Sequence, residues 1–360
     1  MIAFDKFAKG FVIISIVILG LIAGFNYWID PAGIFNNRKV DLAVSYLVEG
    51  KAVTGLTNFD ERIFKKELIL QTKEKPKTIV LGSSRAMGIK AEFDKDNNSF
   101  ANYSVSGANF NDDIALFAVY YNKYQDVPEK VILAVEPWDL NKNRGDTRWK
   151  SLEREYYTGL ELINFKGEKI KEYNNISYIL EKVKTLFSIS YLRNSIKDFR
   201  KKETMPMKVS KDYTKTSTVL PNGSVQYGDN VNKLNSEKVY KTAQSYINNG
   251  RIYQLDNFTE LDKNDIDKFY SFIKFLKSKN VEVSFWFPPY HPYVYQYIEN
   301  NKKFKNVLKA EELFREIARK ENLKTFGSYN PVLCGVGETD FSDGMHLRTS
   351  GYDKVFNINK

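Results

Sequence analysis

The sequence predicts an α/β fold, a three-layer α/β/α sandwich with a central parallel sheet, preceded by one transmembrane helix. Three observations carry this expectation. An apolar run without polar alternation stands at Thr78–Leu81, as a strand buried on both faces requires, and further strands read at Val131–Val135 and Val281–Phe287. Stretches with one apolar helical face separate them, which is the rhythm of a parallel sheet. Near the start, 20 residues from Gly10 to Ile29 carry no charge, about the helical length that crosses a bilayer core.

The N-terminal stretch is expected to be an uncleaved signal anchor. Lys6 and Lys9 precede it, and Tyr27 and Trp28 stand where an interfacial aromatic belt belongs. The positive-inside bias puts residues 1–10 in the cytoplasm and the body of the protein outside the cytoplasmic membrane. A cleaved signal peptide is the alternative, but Leu21 and Asn26 occupy positions where a cleavage site needs small residues. Gly20 and Gly24 form a GxxxG pair able to pack on another membrane helix. No later stretch is long and apolar enough to span.

The chain continues through a "DPAGIF" turn and an amphipathic helix expected over 56–75. "KTIVLGSSRAMG" then gives a strand ending in a tight Gly-Ser-Ser turn. "SFANYSVSGANF" reads as a short strand closing at Gly107, with a helix from Asp112 through Tyr121. "KVILAVEPWDL" supplies the next strand. Asp262 is placed to cap a helix bearing Ile266, Phe269, Ile273 and Leu276. "VEVSFWFPPYHP", a helix over about 304–320 and the short strand "NLKTF" complete the alternation.

Residues 141–255 break the rhythm. They hold a helical stripe of Ile176, Ile179, Leu180, Val183 and Phe187, a basic stretch from Arg193 to Lys215, and a hairpin turned at Asn222-Gly223. The expected division is a cytoplasmic tail over 1–10, an anchor over 11–29, a membrane-proximal linker and helix over 30–76, and a domain over 77–360 with an insertion at about 141–255.

Composition narrows the function classes. Two histidines and one cysteine, Cys334, leave no cluster at metal-ligand spacing and no intramolecular disulfide. No cofactor or metal is expected. The net charge of +10, outside the cytoplasm, points to anionic lipid or an anionic cell-envelope polymer as partner rather than nucleic acid. A lysine-rich solvated surface is the plain alternative, for residues 166 to 215 in particular.

Loops at the carboxyl ends of parallel strands carry functional groups, and here these are "GSSR", "SGAN" and "EPWD". "SDGMH" follows late in the chain. A serine needs a neighbouring base to become a nucleophile, and the base needs an orienting acceptor. Asp343, three residues before His346, can supply the orientation and Ser84 the nucleophile. Backbone N–H groups at the serine turn and near Gly107 can receive an oxyanion.

This arrangement resembles the SGNH (GDSL-type) hydrolase superfamily. Gly82-Ser83-Ser84 stands for its serine block, Gly107 for its glycine block and Asp343-Gly344-Met345-His346 for its closing Asp-x-x-His. On that match Ser84, not Ser83, takes the nucleophile's place. The superfamily's Asn block is absent: "VEPWDLN" offers Trp138 and Asp139, with Glu136 two positions earlier. Asn109 is the substitute donor. The anchor, the Gly-Ser-Ser turn and the Pro-Trp block look like the membrane-anchored branch that acts in D-alanylation of lipoteichoic acid or in exopolysaccharide O-acetylation. That resemblance implies acyl transfer to a polysaccharide or teichoic acid beside a membrane-bound O-acyltransferase. An esterase on the same polymers, or a silent scaffold that binds polymer and acyltransferase, is the alternative.

The remaining residues have plainer readings beside the functional ones. Arg85 either steers an anionic acceptor or covers surface. Trp138 either shapes the pocket or packs in the core. His291 either lines the pocket or bonds within its proline-rich turn. The two serines of the turn can simply cap the helix that follows.

Overall fold

The computed structural model describes residues 2–31, 33–93, 99–168, 175–200, 207–248 and 252–357. The chain forms two compact units. One comprises Met1–Ala43, Gly55–Asp60 and Glu172–Lys208, and the other holds the rest. The expected insertion is thus divided, with 172–208 in the first unit and its remainder in the second. Residues 201–206 of the basic stretch lie outside the described residues.

The smaller unit is built on α1 (Ile2–Ile29), a helix long and apolar enough over Lys6–Ile29 to cross a membrane. A hairpin of two helices, Asn175–Leu186 and Ile189–Arg200, packs on its C-terminal end through Asn26, Asp30 and Phe25.

The larger unit is α/β. Its helix α2 (Glu61–Gln71) is shorter than the 56–75 expected. Asn58, at φ +56°, stands in the left-handed region and does not continue a right-handed helix. Five parallel strands follow: β1 (Thr78–Leu81), β2 (Phe100–Asn102), β3 (Lys130–Ala134), β4 (Glu282–Phe287) and β5 (Lys324–Gly327). Their order is β2-β1-β3-β4-β5. Ile79 pairs with Ala101 and Val131, Leu133 with Phe285, and Phe285 with Thr325.

Alternate strand residues feed two different apolar clusters. Ile79, Leu81, Val131, Leu133, Phe285 and Phe287 enter one, with α3 (Phe110–Tyr124), α4 (Lys263–Ser278) and α5 (Lys305–Glu321). Val80, Ile132, Ala134 and Trp286 enter the other, with α6 (Thr349–Asn357). All four residues of β1 and the last four of β3 are buried, as their apolar runs require.

The helix starts follow local chemistry. Asn109 accepts from Asn111 N at 2.9 Å, while the Asp112 carboxylate accepts from Asn109 N at 3.0 Å. That reciprocal box starts α3 two residues earlier than expected. Asp262 caps α4 as expected, accepting from Asn264 N at 2.8 Å. In the hairpin, Gly223 has φ +81° but Asn222 does not leave the ordinary region. A two-residue type I′ turn needs positive φ at both. Val219 pairs with Val225 instead, leaving a longer loop between them.

That loop is held by Lys65, whose buried ammonium donates to Asn102 O at 2.8 Å and Gly223 O at 2.6 Å. Burial pushes Lys65 down to about 7, with Glu61 pulling weakly upward. An unfolded lysine titrates near 10.4, so between these values the unfolded chain holds a proton that the folded chain has lost. Stability should therefore rise from pH 7 to 10, by up to about 1.4 kcal/mol per unit. The gain is lost as pH falls through the folded value. Lys65→Met should flatten that slope in denaturant titrations of the full chain in detergent. Parallel slopes at pH 7.5 and 9 for both proteins would refute it.

Candidate active site

The strand order reverses between β1 and β3, and in open α/β sheets ligands sit outside the carboxyl ends of strands at such a switch point. The loops after β1 and β3 carry Ser83-Ser84-Arg85 and Glu136-Pro137-Trp138. Gly82 makes the first loop possible. Its φ of +134° and its packing on Ala134 of β3 leave no room for a Cβ.

The two serines have separate jobs. Ser83 Oγ accepts from Arg85 N at 3.1 Å, capping the short 3-10 turn Ser84–Ala86, and donates to Glu136 Oε1 at 2.5 Å. Ser84 Oγ is instead free of the cap and lies 2.9 Å from His346 Nε2. His346 Nδ1 in turn lies 2.8 Å from Asp343 Oδ2. The other oxygen, Oδ1, accepts from Met345 N at 2.8 Å and from His346 N at 2.9 Å. One carboxylate thereby orients both the ring and the loop that carries it. Ser84, Asp343 and His346 are partly exposed, while Ser83 is buried.

Electrostatics match this use. Burial alone raises the Asp343 carboxyl, but the His346 ring and the two backbone N–H groups outweigh it and hold it below its ordinary value. The carboxylate stays ionised beside the imidazole and favours the tautomer with its proton on Nδ1. Nε2 is then left to accept the proton of Ser84.

Arg85 does not cover surface. It is 2% exposed, and its guanidinium is consumed by structure. Nη1 donates to Glu136 Oε2 at 2.8 Å, Nε to Met345 O at 3.0 Å, and Nη2 to Pro288 O at 2.5 Å and Pro289 O at 2.8 Å. The group lies 4.1 Å from the Tyr290 ring centroid. Arg85 thus ties the serine turn, the loop after β3, the loop after β4 and the histidine loop together. Burial opposes its charge, and Glu136 together with Tyr290 and Tyr329 more than restores it.

Trp138 and His291 are likewise structural. Trp138 is buried, donates from Nε1 to Ala108 O at 2.9 Å, and packs edge-on to Tyr253. His291 is buried and accepts from Tyr293 N at 3.2 Å through Nδ1, capping the helix Pro292–Asn300. Its backbone N–H donates to Gly344 O at 3.1 Å, so it braces the histidine loop from behind.

Gly107 has φ +56°, and its carbonyl accepts from Arg148 Nη2 at 3.2 Å. The loop is tied to the serine turn by Val105 N donating to Gly82 O at 2.9 Å. Asn109 is buried, and its Nδ2 is one of the buried side-chain donors without a partner among the described residues. An unsatisfied buried amide is costly unless something else accepts from it.

The sequence singled out Asp139 but not Asp113, the second buried carboxyl behind the turn. Burial raises Asp113 and Asp139 well above the ordinary range; Asp112 and Glu136 add to the rise at Asp113, and Asp113 and Glu136 to that at Asp139. A carboxyl four residues after Asn109, and another three after Glu136, are the signals that mark them in the sequence. Among the described residues no group of three or more His, Cys, Asp or Glu is placed to hold a metal ion. No family model matches the chain, and no curated protein matches it.

Proposed function

We propose that this protein is a membrane-anchored, extracytoplasmic acyltransferase of the SGNH-like kind, a three-layer sandwich whose Ser84 carries the acyl group to a cell-envelope polymer. The observation that carries the reading is the continuous relay Ser84 Oγ–His346 Nε2, His346 Nδ1–Asp343 Oδ2 at 2.9 and 2.8 Å. Its place at the switch point of the sheet supports it. The net charge of +10 suits an anionic acceptor such as a teichoic acid, and α1 is long enough to hold the domain beside a membrane-bound O-acyltransferase.

In the first half-reaction Ser84 gives its proton to His346 Nε2 and attacks the carbonyl carbon of an ester or thioester. The tetrahedral intermediate collapses as His346 returns the proton to the leaving oxygen or sulfur. A sugar or polyol hydroxyl then loses its proton to His346, attacks the acyl-serine, and Ser84 recovers the proton. The Gly107 N–H and Asn109 Nδ2 are the donors we assign to the oxyanion, the latter because it is a buried donor with no other use.

Intact mass of the full chain after a fluorophosphonate should show one adduct, absent from Ser84→Ala. Asn109→Ser keeps a helix cap but removes the amide donor, so its labelling rate should fall by about 10²–10³-fold at unchanged stability. An adduct that survives Ser84→Ala sinks the assignment. With an acyl thioester donor, ester formed on an added polyol marks transfer, and free acid alone marks an esterase.

A further inference from the structure

The helical hairpin of the smaller unit has several large apolar residues on the outside. Ile179 and Leu180 are 56% and 53% exposed, and Val183 and Phe187 continue their face at helical spacing. In the second helix Ile189 and Phe199 are 69% and 60% exposed. Such a face is ordinarily turned inward, and an exposed one marks a surface that something covers.

The contacts with α1 say what covers it. Tyr191 OH donates to Asp30 Oδ1 at 2.7 Å, Ser195 Oγ to Asn26 Oδ1 at 2.7 Å, and the Phe199 ring meets Phe25 at 5.8 Å. Residues 191, 195 and 199 share one face, and their partners descend from 30 to 25. The second helix therefore runs antiparallel to α1, down from the charged Asp30 into the uncharged stretch Gly10–Ile29. Over eight residues it travels about 12 Å. A helix in that position beside a membrane-crossing helix is at the depth of the lipid interface.

The polar groups fit the same place. Asn26, a polar residue inside the apolar stretch, is fully buried and donates to Leu186 O at 2.7 Å, an end carbonyl of the first hairpin helix. In lipid such groups must be satisfied within the protein. Lys184, Arg193, Lys197 and Arg200 are exposed, and long basic side chains beside an apolar face reach anionic head groups.

We infer that the hairpin 175–200 lies in the outer interfacial layer of the bilayer, with its apolar face in lipid and its basic residues on anionic head groups. This rests on the reading that α1 crosses the membrane. It makes the anchor a three-helix foot rather than a single tether.

The test uses the full chain in vesicles of equal parts phosphatidylglycerol and phosphatidylethanolamine. A fluorophore is attached at one introduced cysteine, Leu19→Cys, Leu180→Cys, Ile189→Cys or Lys241→Cys; the native Cys334 is buried. Brominated lipid should quench the probes at 19, 180 and 189 at least about threefold more than the probe at 241, as expected of an interfacial helix. Aqueous iodide should show the reverse order. Quenching at 19 with iodide-accessible probes at 180 and 189 overturns the inference and leaves a protein partner to cover the face. Absence of lipid quenching at 19 removes the anchor reading and the inference together. In phosphatidylcholine vesicles the hairpin probes should lose lipid quenching while the probe at 19 keeps it. Equal quenching there refutes the head-group part.

Discussion

Asp343→Asn should lower the rate of fluorophosphonate labelling by about 10⁴-fold while leaving the fold intact. The size of the effect follows from how the loop fixes the side chain. Oδ1 accepts from two backbone N–H groups, Met345 and His346, so an asparagine keeps its oxygen there. Its amide nitrogen must then face His346 Nδ1, where Asp343 Oδ2 now stands at 2.8 Å. A donor in that position turns Nδ1 into an acceptor and moves the ring proton to Nε2. Nε2 faces Ser84 Oγ at 2.9 Å and can no longer take its proton. Labelling kinetics of wild type, Asp343→Asn and His346→Ala check this, with thermal unfolding as the control for folding. A rate within tenfold of wild type would show that the carboxylate does not set the tautomer.

The second large effect is on stability. Arg85→Met should destabilise the larger unit by roughly 3–5 kcal/mol, because it leaves Glu136 as an uncompensated charge in a dry site. Both side chains are 1% exposed and 2.8 Å apart. Glu136 is already raised from its ordinary value by burial, with Arg85 and Ser83 opposing that rise. Without Arg85 the Glu136 carboxylate has no cation against it, and the carbonyls of Met345, Pro288 and Pro289 lose their donor. Adding Glu136→Leu removes the stranded charge and should recover part of the loss, but not the part due to the three carbonyls. Urea midpoints at constant m-value measure both. A loss below about 1 kcal/mol for Arg85→Met would mean that water enters and solvates Glu136, as at an exposed pair.

These two effects meet at one feature of the design. Arg85 follows the serine directly in sequence and holds the loop that brings the histidine. Ser84 and His346 are thus positioned by a buried fork of hydrogen bonds and not by their own contact alone. The same tie explains why a loop of Asp-Gly-Met-His, flexible by composition, reaches Ser84 from the far end of the chain.

Much of this was legible in the residues. Unbroken apolar runs at β1 and β3 identified buried strands, and Asp262 before Ile266 identified a helix start, because both signals are local. The pairing of Ser84 with Asp343 and His346 was also within reach, since a serine at a strand end and a histidine with its own aspartate are local patterns joined by resemblance. The hairpin turn was less so: Asn222-Gly223 suits a two-residue loop, but Lys65 draws Gly223 toward Asn102 and lengthens it.

The amino-acid sequence by itself determined the order of strands and helices, the charge-free N-terminal stretch and the few residues able to do acyl chemistry, because hydrophobic periodicity and side-chain type act over a few neighbouring positions. Only the tertiary structure decided that Arg85 is buried in a fork of hydrogen bonds, that His291 caps a helix and braces the histidine loop, and that the Asn109 amide has no partner among the described residues. Those outcomes depend on groups brought together across up to 260 positions of chain. Burial and hydrogen-bond satisfaction are properties of the assembled site, and no spacing along the chain carries them.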